Sequence, residues 1–352
     1  MTTQSALLPA HPVTRRPLRP RAIALWLLAV AAMVFCMVVV GGITRLTESG
    51  LSITQWKPLS GAIPPLSQAD WQQQFDLYKS TTEFQTVNSA MTLGDFKFIF
   101  FWEYMHRLLG RLIGLAFALP LLWFAWKRAI PRGYGPRLVA LLALGGLQGA
   151  IGWWMVKSGL TGRVDVSHVR LAVHLLTALL TLGGLVWTAC DLFALHRDPS
   201  ARPSRLRKGA LLALVLLAGQ LLLGAFTAGL RAGYAFDSWP MMGIEWFPAA
   251  TPMLTPAWHN IVDNPIVVQF AHRWWAWVAA AGLAWLGLRA ARAGGRGAAI
   301  LLAMLVAVQI ALGICVLLTG VDLALAVAHQ AVAALVVMAA VACAHRVGRP
   351  AA

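Results

Sequence analysis

The sequence predicts an all-α integral membrane protein of eight transmembrane helices, arranged as two parallel-repeat four-helix bundles. Three observations lead there. Of 352 residues, 59% are hydrophobic and only 12% are charged, too little charge to cover a soluble domain of this length. A hydrocarbon core about 30 Å thick needs roughly 20 apolar residues per helix. Such stretches lie near 22–42, 98–126, 137–156, 168–195, 208–229, 266–292, 297–319 and 322–345. Finally, sequence patterns in the first four stretches recur, in order, in the last four.

The first stretch follows Arg15, Arg16, Arg19 and Arg21, an arrangement resembling a signal peptide. The run from Ala22 to Gly42 is too long for such a segment and has no small-residue cleavage site, so it is expected to be retained as a helix. Lys and Arg then set the orientation. One set of connections, with both termini, carries 18 of them, and the other set carries 8 on longer loops. The positive-inside rule therefore puts both termini of this multi-pass protein in the cytoplasm. The net charge of +16 is accounted for in this way. It forms no aromatic-interleaved basic face, so membrane lipid is the expected neighbour and nucleic acid is not. The cysteines Cys36, Cys190, Cys315 and Cys343 are scattered through apolar helices with no CxxC pair, so neither a disulfide nor a zinc site is indicated.

The expected organisation is a tail (1–21), an N-terminal half (22–195), a linker (196–207), a C-terminal half (208–346) and a short tail (347–352). Two outer connections, 43–97 and 230–265, are long and rich in Trp, Pro and Gly, and loops of this length are usually functional. The first holds Trp56-Lys57-Pro58 and Pro64-Pro65, with a short helix expected near Gln68 to Lys79. The internal repeat is explicit in several places. Gly-rich sequence follows the first helix of each half, from Gly41 and from Gly224. Glu103-Tyr-Met-His106-Arg107 matches Gln269-Phe-Ala-His272-Arg273. Gln148 with Gly152 matches Gln309 with Gly313, and His174 matches His329. Four helices return the chain to its starting side, so the two halves share one orientation, unlike inverted-repeat transporters.

Ionisable residues within a bilayer are costly and tend to be functional. His11, His168, His196, His259 and His345 fall in tails, loops or at helix ends, where ordinary structural roles explain them. His106, His174, His272 and His329 instead lie roughly seven to nine residues in from the outer ends of their helices, about 10–14 Å deep. Imidazole suits iron, copper and zinc, and no cysteine or second carboxylate accompanies these residues. Pairs of histidines on facing helices fit bis-imidazole haem ligation; hydrogen-bonded core histidines are the alternative. Glu103, one turn from His106, shares its helix face, whereas the second half has the neutral Gln269. That difference suggests proton-coupled chemistry in the first half and electron transfer in the second, unless Glu103 only pairs with an arginine such as Arg107. Arg107, Arg111 and Arg273 are candidate partners for haem propionates, or topological anchors.

At these residues the sequence resembles haem A synthases, in the bacterial and mitochondrial branch without first-loop cysteines. The resemblance is carried by GGITRLTESGLSITQWKPLSGAIPPLS, FWEYMHRLLGRLIG, VSHVRLAVHLL, GAFTAGLRAGYAFDSWP, QFAHRW and VAHQAVAAL, in order from Gly41 to about Leu335. It implies eight membrane helices in two halves. It also implies oxidation of a methyl group of haem O to the formyl group of haem A through a hydroxylated intermediate, in cytochrome oxidase assembly. Position by position it implies His106 and His174 around the substrate haem O, His272 and His329 around a haem b cofactor, and a catalytic role for Glu103. Other members carry a cysteine pair in the first outer loop; 43–97 has none, so any redox role of that pair does not apply. His168 stands where the family pattern has another residue. It lies six residues from His174, about 240° around the helix, away from the ligand face. The resemblance further implies a haem O synthase and an external electron donor as partners, since the chain has no nicotinamide or flavin fingerprint. A diheme electron-transfer protein and a haem transporter or chaperone are the competing functions.

Overall fold

The computed structural model describes residues 18–58, 60–160 and 162–349. Most of the expected 1–21 tail, with Arg15 and Arg16, and the end of the 347–352 tail lie outside the described residues.

The helices, in chain order, are α1 (Pro20–Leu46), α2 (Gln68–Lys79), α3 (Thr82–Thr86), α4 (Leu93–Trp126), α5 (Gly135–Lys157), α6 (His168–Arg197), α7 (Lys208–Gly229), α8 (His259–Val262), α9 (Pro265–Arg292), α10 (Arg296–Leu318) and α11 (Leu323–Gly348). Short 3-10 turns cover Ser60–Ala62 and Ala232–Tyr234. Seven helices, α1, α4, α5, α6, α7, α10 and α11, are long and apolar enough to cross a membrane. The eighth long helix, α9, has 28 residues. Its outer half carries Gln269, His272, Arg273 and three tryptophans, which dilute its apolar character.

Helix ends follow local chemistry. Ser67 opens α2 and Thr92 opens α4 with capping boxes closed by Asp70 and Asp95. Ser167, Asn264 and Asp322 cap α6, α9 and α11 through their side-chain oxygens. The Thr92 cap starts α4 at Leu93 rather than near 98, so its first turns precede the apolar run. Between α10 and α11 only Thr319, Gly320, Val321 and Asp322 intervene. Gly320 and Val321 both adopt positive φ, 62° and 64°. Only glycine does this without steric cost. Val321 keeps its conformation with its Cγ2 packed over Gly233 of the second outer loop.

Lipid removes the hydrophobic drive between helices, so association rests on close packing and polar contacts. α1 buries a stripe at helical spacing, Ile23, Leu27, Val30, Val34 and Val38, against α4, α6 and α11. α5 packs on α6, α7 on α9, and α10 on α9 and α11. α5 and α10 bury almost nothing and form the periphery. Small residues, Ala24, Ala31, Ala189, Ala213, Ala340 and Ala344, let backbones approach in the centre. Polar contacts cross between the first four and last four long helices, that of Arg45 with the Ala228 carbonyl among them. Gln330 donates to the Val38 carbonyl at 2.7 Å. Near the 198–207 connection, Asp191 accepts from Arg137 at 2.6 Å, Ser204 N at 2.8 Å and His345 Nε2 at 2.9 Å. Removing one partner from a buried ion pair of this kind costs about 3–5 kcal/mol. His345, placed at a helix end by the sequence, is a buried structural residue, because Asp191 on the neighbouring helix supplies its partner.

The 43–97 and 230–265 loops and the α5–α6 connection are tied to each other. Arg231 bridges Glu48 and Asp165, each at 2.9 Å, and Arg45 donates to the Ala228 carbonyl. Beneath α2 and α3, Glu83 is buried against the Tyr78 hydroxyl at 3.0 Å; burial pushes its carboxyl up to about 7.

Candidate functional site

Each of the four intramembrane histidines rests on a glycine of the preceding long helix. A Cβ at Gly41 of α1 would lie 2.9 Å from His106 Cε1 of α4. At Gly152 of α5 it would lie 3.0 Å from His174 Cε1, and at Gly224 of α7 it would lie 3.0 Å from His272 Cε1. At Gly313 of α10 it would lie 2.9 Å from His329 Cε1. Any side chain there would push the ring out of its position. The glycines noticed in the repeats are thus floors for imidazole rings. By helix the residues fall into two sets, His106 and His174 on α4 and α6, and His272 and His329 on α9 and α11.

The seats suit a haem iron. Among the described residues no three His, Cys, Asp or Glu side chains cluster as a metal cage; bis-imidazole ligation of a haem would need only two histidines. The Nδ1 atoms of His106, His174 and His329 are buried without a partner. Unpaired buried polar atoms call for an explanation, and a metal bound through these nitrogens would supply one.

Around the rings, glutamines reach across from the preceding helix. Gln148 Nε2 donates to the His174 carbonyl at 2.8 Å. Gln220 Nε2 lies 3.2 Å from both His272 Nδ1 and the His272 carbonyl. Gln309 Nε2 lies 3.3 Å from His329 Nε2. Gln220 was missed in the sequence, although Gln220 and Gly224 repeat the Gln-x-x-x-Gly spacing of 148–152 and 309–313.

The residues flanking the first histidine of each pair fasten the outer loops. Glu103, 3% exposed, accepts from Ser52 Oγ and Ile53 N, both at 2.7 Å, through Oε2. Its Oε1 accepts from Arg107 Nη2 at 2.6 Å and Nε at 3.1 Å. Arg107 also donates to the Ile53 and Gln55 carbonyls, and Arg111 donates to those of Lys57 and Pro58. The Trp56-Lys57-Pro58 segment is thereby laid along the outer part of α4, with Trp56 edge-on to Trp153, the neighbour of Gly152. In the other half, Gln269 Nε2 donates to the Phe236 carbonyl at 3.0 Å. Arg273 donates to the Ser238 carbonyl at 2.8 Å and to Phe236 at 3.1 Å. The two clamps have the same plan, with a carboxylate in one and an amide in the other.

These contacts revise the expectation for the arginines. Most donors of Arg107, Arg111 and Arg273 satisfy loop carbonyls, because a buried loop must place its backbone oxygens somewhere. Arg107 has four hydrogen bonds of this kind or to Glu103. Arg111 Nη1 and Arg273 Nε are buried without a partner. His168 lies apart from the seats, 3.2 Å from Asp263, which also contacts His259 Nδ1 at 2.5 Å.

Fold and site together define a class: polytopic helical membrane proteins with paired intramembrane histidines. Within it the particular family is clear, since residues 24–341 match the family model COX15-CtaA, described as cytochrome oxidase assembly protein. Relatives named heme A synthase are similar over nearly the whole chain. That of Rhizorhabdus wittichii is 56% identical, covering 97% of this chain and 98% of its own. That of Sphingopyxis alaskensis is 53% identical, covering 99% and 98%. That of Novosphingobium aromaticivorans is 53% identical, covering 93% and 95%. The chain belongs to the COX15-CtaA family.

Proposed function

We propose that this chain acts as a haem A synthase, an intramembrane oxidoreductase that converts a methyl group of haem O to the formyl group of haem A. The observation that carries the reading is the set of four imidazoles on glycine floors, two on α4 and α6 and two on α9 and α11. His106 and His174 hold the substrate haem O, and His272 and His329 hold a resident haem b. A bound haem b supplies a one-electron redox centre. The chain itself orients both groups, excludes water with its strapped outer loops, and keeps a proton-accepting carboxylate, Glu103, beside one seat only. Arg111 Nη1 and Arg273 Nε are the donors left for propionates. Haem O reaches the site from a haem O synthase, and reducing equivalents come from an external donor.

Expression of the chain with a source of haem O, followed by mass identification of the extracted haem, tests the assignment. Haem A together with haem b is expected. Two haem b groups alone would favour a diheme electron carrier, and no stable haem would favour a transporter.

The repeat supports eight spans in two four-helix bundles of the same orientation, with α9 as the sixth. Its polar outer half is offset by the Gln269 and Arg273 contacts described above. Both termini then lie in the cytoplasm of a bacterial inner membrane, and the 43–97 and 230–265 loops lie outside. In a background without the four native cysteines, Gln73→Cys in exposed α2 should react with an impermeant thiol reagent added from outside. Ser200→Cys in the 198–207 connection should not. The opposite pattern would invert the topology.

A further inference from the structure

One side chain joins a histidine helix of the second half to a histidine floor of the first. Gln330 follows His329 on α11 and reaches across to α1, where its Nε2 donates to the Val38 carbonyl at 2.7 Å. Its amide also fills the notch over Gly42, one turn further along α1. A Cβ there would lie 2.9 Å from Nε2 and 3.0 Å from both Cδ and Oε1. The residue before it, Gly41, is the floor of His106. Toward α4, the same stretch of α1 brings the Thr44 hydroxyl to 3.3 Å from the Trp102 carbonyl, next to Glu103 in sequence. The repeat supplies the comparison. His174 is followed by Leu175 and Gly224 by Ala225, and Leu175 packs against the apolar cluster that includes Ala225. Corresponding positions are thus apolar in one place and carry an amide over a glycine in the other. An amide inside a bilayer has a desolvation cost that a leucine does not, so its presence at 330 calls for a reason beyond filling space.

We propose that Gln330 positions the substrate seat of the opposite half: by fixing α1 against α11 it holds Gly41 beneath His106. A helix moves as a unit over a single turn, so a shift of α1 at Val38 and Gly42 is carried to Gly41. The seat tolerates little of it, since the Cβ position at Gly41 is only 2.9 Å from His106 Cε1. A substrate that comes and goes needs its ligand in place on arrival, so the orientation of His106 enters the affinity for haem O directly. His329 has its own floor at Gly313 and its own glutamine, with Gln309 Nε2 at 3.3 Å, and the amide of Gln330 is directed to α1 instead. Gln330 is therefore a positioning residue that acts through α1 on His106, although its sequence neighbour serves the other haem. The inference rests on the assignment of haem O to His106 and His174 and of haem b to His272 and His329.

The test titrates haem O into the purified full chain carrying haem b. Occupancy is read by chromatography of the extracted haems, and coordination by difference spectra against the chain with haem b alone. One side-chain hydrogen bond between membrane helices is worth about 3–20-fold in an equilibrium constant. Gln330→Leu, which installs the residue type found at position 175, should weaken haem O binding by a factor in that range and lower its low-spin fraction. Its haem b content and bis-histidine spectrum should match the native chain. Gly42→Ala, whose methyl displaces the amide, should give the same signature from the other helix, and it keeps the idea testable if Gln330→Leu folds poorly. The two together should weaken binding no further than the stronger single variant, because both act through one contact. Native haem O binding in both single variants, additive losses in the double variant, or a loss falling equally or mainly on haem b would overturn the proposal. His106→Ala separates this from failure of the underlying assignment. If that variant binds haem O as the native chain does, His106 is no substrate ligand and the proposal falls with it. If it loses haem O while the Gln330 and Gly42 variants keep it, the positioning role alone fails.

Discussion

Alanine at His272 or at His329 is expected to abolish the bis-histidine haem b spectrum. Each substitution removes one axial bond and leaves a void over a glycine floor, Gly224 or Gly313, that no neighbouring side chain is shaped to fill. Loss of an outer-shell partner alone costs about 10–100-fold in metal affinity, so loss of the ligand should cost more. Retention of haem b should thus fall by more than about 100-fold, with any residual pigment high-spin. Because the pairs draw on different helices, α4 and α6 against α9 and α11, haem O binding at His106 and His174 should persist. Absorption spectra of the purified variants, with and without haem O, make the comparison. Normal bis-histidine spectra in both variants would remove haem b from this pair of seats.

What was legible in the sequence, and what was not, follows from how each signal is generated. Membrane hydropathy sums about 20 residues, so the apolar helices could be read from α1 onward with their ends shifted by only a few residues. The end that moved most, the start of α4, was set by a local cap at Thr92 that composition does not report. The short helix Gln68–Lys79 was readable because Ser67 and Asp70 form a capping box within four residues. The histidine candidates stood out because bilayer interiors make polar residues conspicuous and because the repeat showed them twice. Tertiary hydrogen bonds leave no such trace. Nothing in the sequence said that Asp191 would meet His345, some 150 positions away. Nor did it say that Arg111 would spend its donors on Lys57 and Pro58. Gln220 was visible as a letter, but its meaning required seeing that it reaches His272 of the next helix.

Glutamine at Glu103 should leave both haems bound while cutting conversion of haem O to haem A by about 10²–10⁴-fold, the usual contribution of a proton-transfer group. Product should stall as haem O or its hydroxylated intermediate. The structure makes this substitution sharper than sequence spacing alone did. Glu103 receives four hydrogen bonds, from Ser52, Ile53 and twice from Arg107, so it fastens the first outer loop as well as facing the His106 side of α4. A drop in activity could then come from a loosened loop. The second half supplies the control, because Gln269 and Arg273 hold their loop with an amide in the same position. An amide at 103 can still accept from Ser52 and Ile53 through its oxygen, while its NH2 faces the Arg107 donors, so loop protection must be measured to separate a loosened clamp from the lost negative charge. Glu103→Ala, which removes both, should release the 52–58 segment to hydrogen exchange. A Gln variant with native loop protection, full haem occupancy and little haem A assigns Glu103 to proton movement. Native loop protection with normal haem A yield would reduce it to an ion-pair partner of Arg107, and the carboxylate-for-amide difference between the halves would then belong to loop anchoring alone.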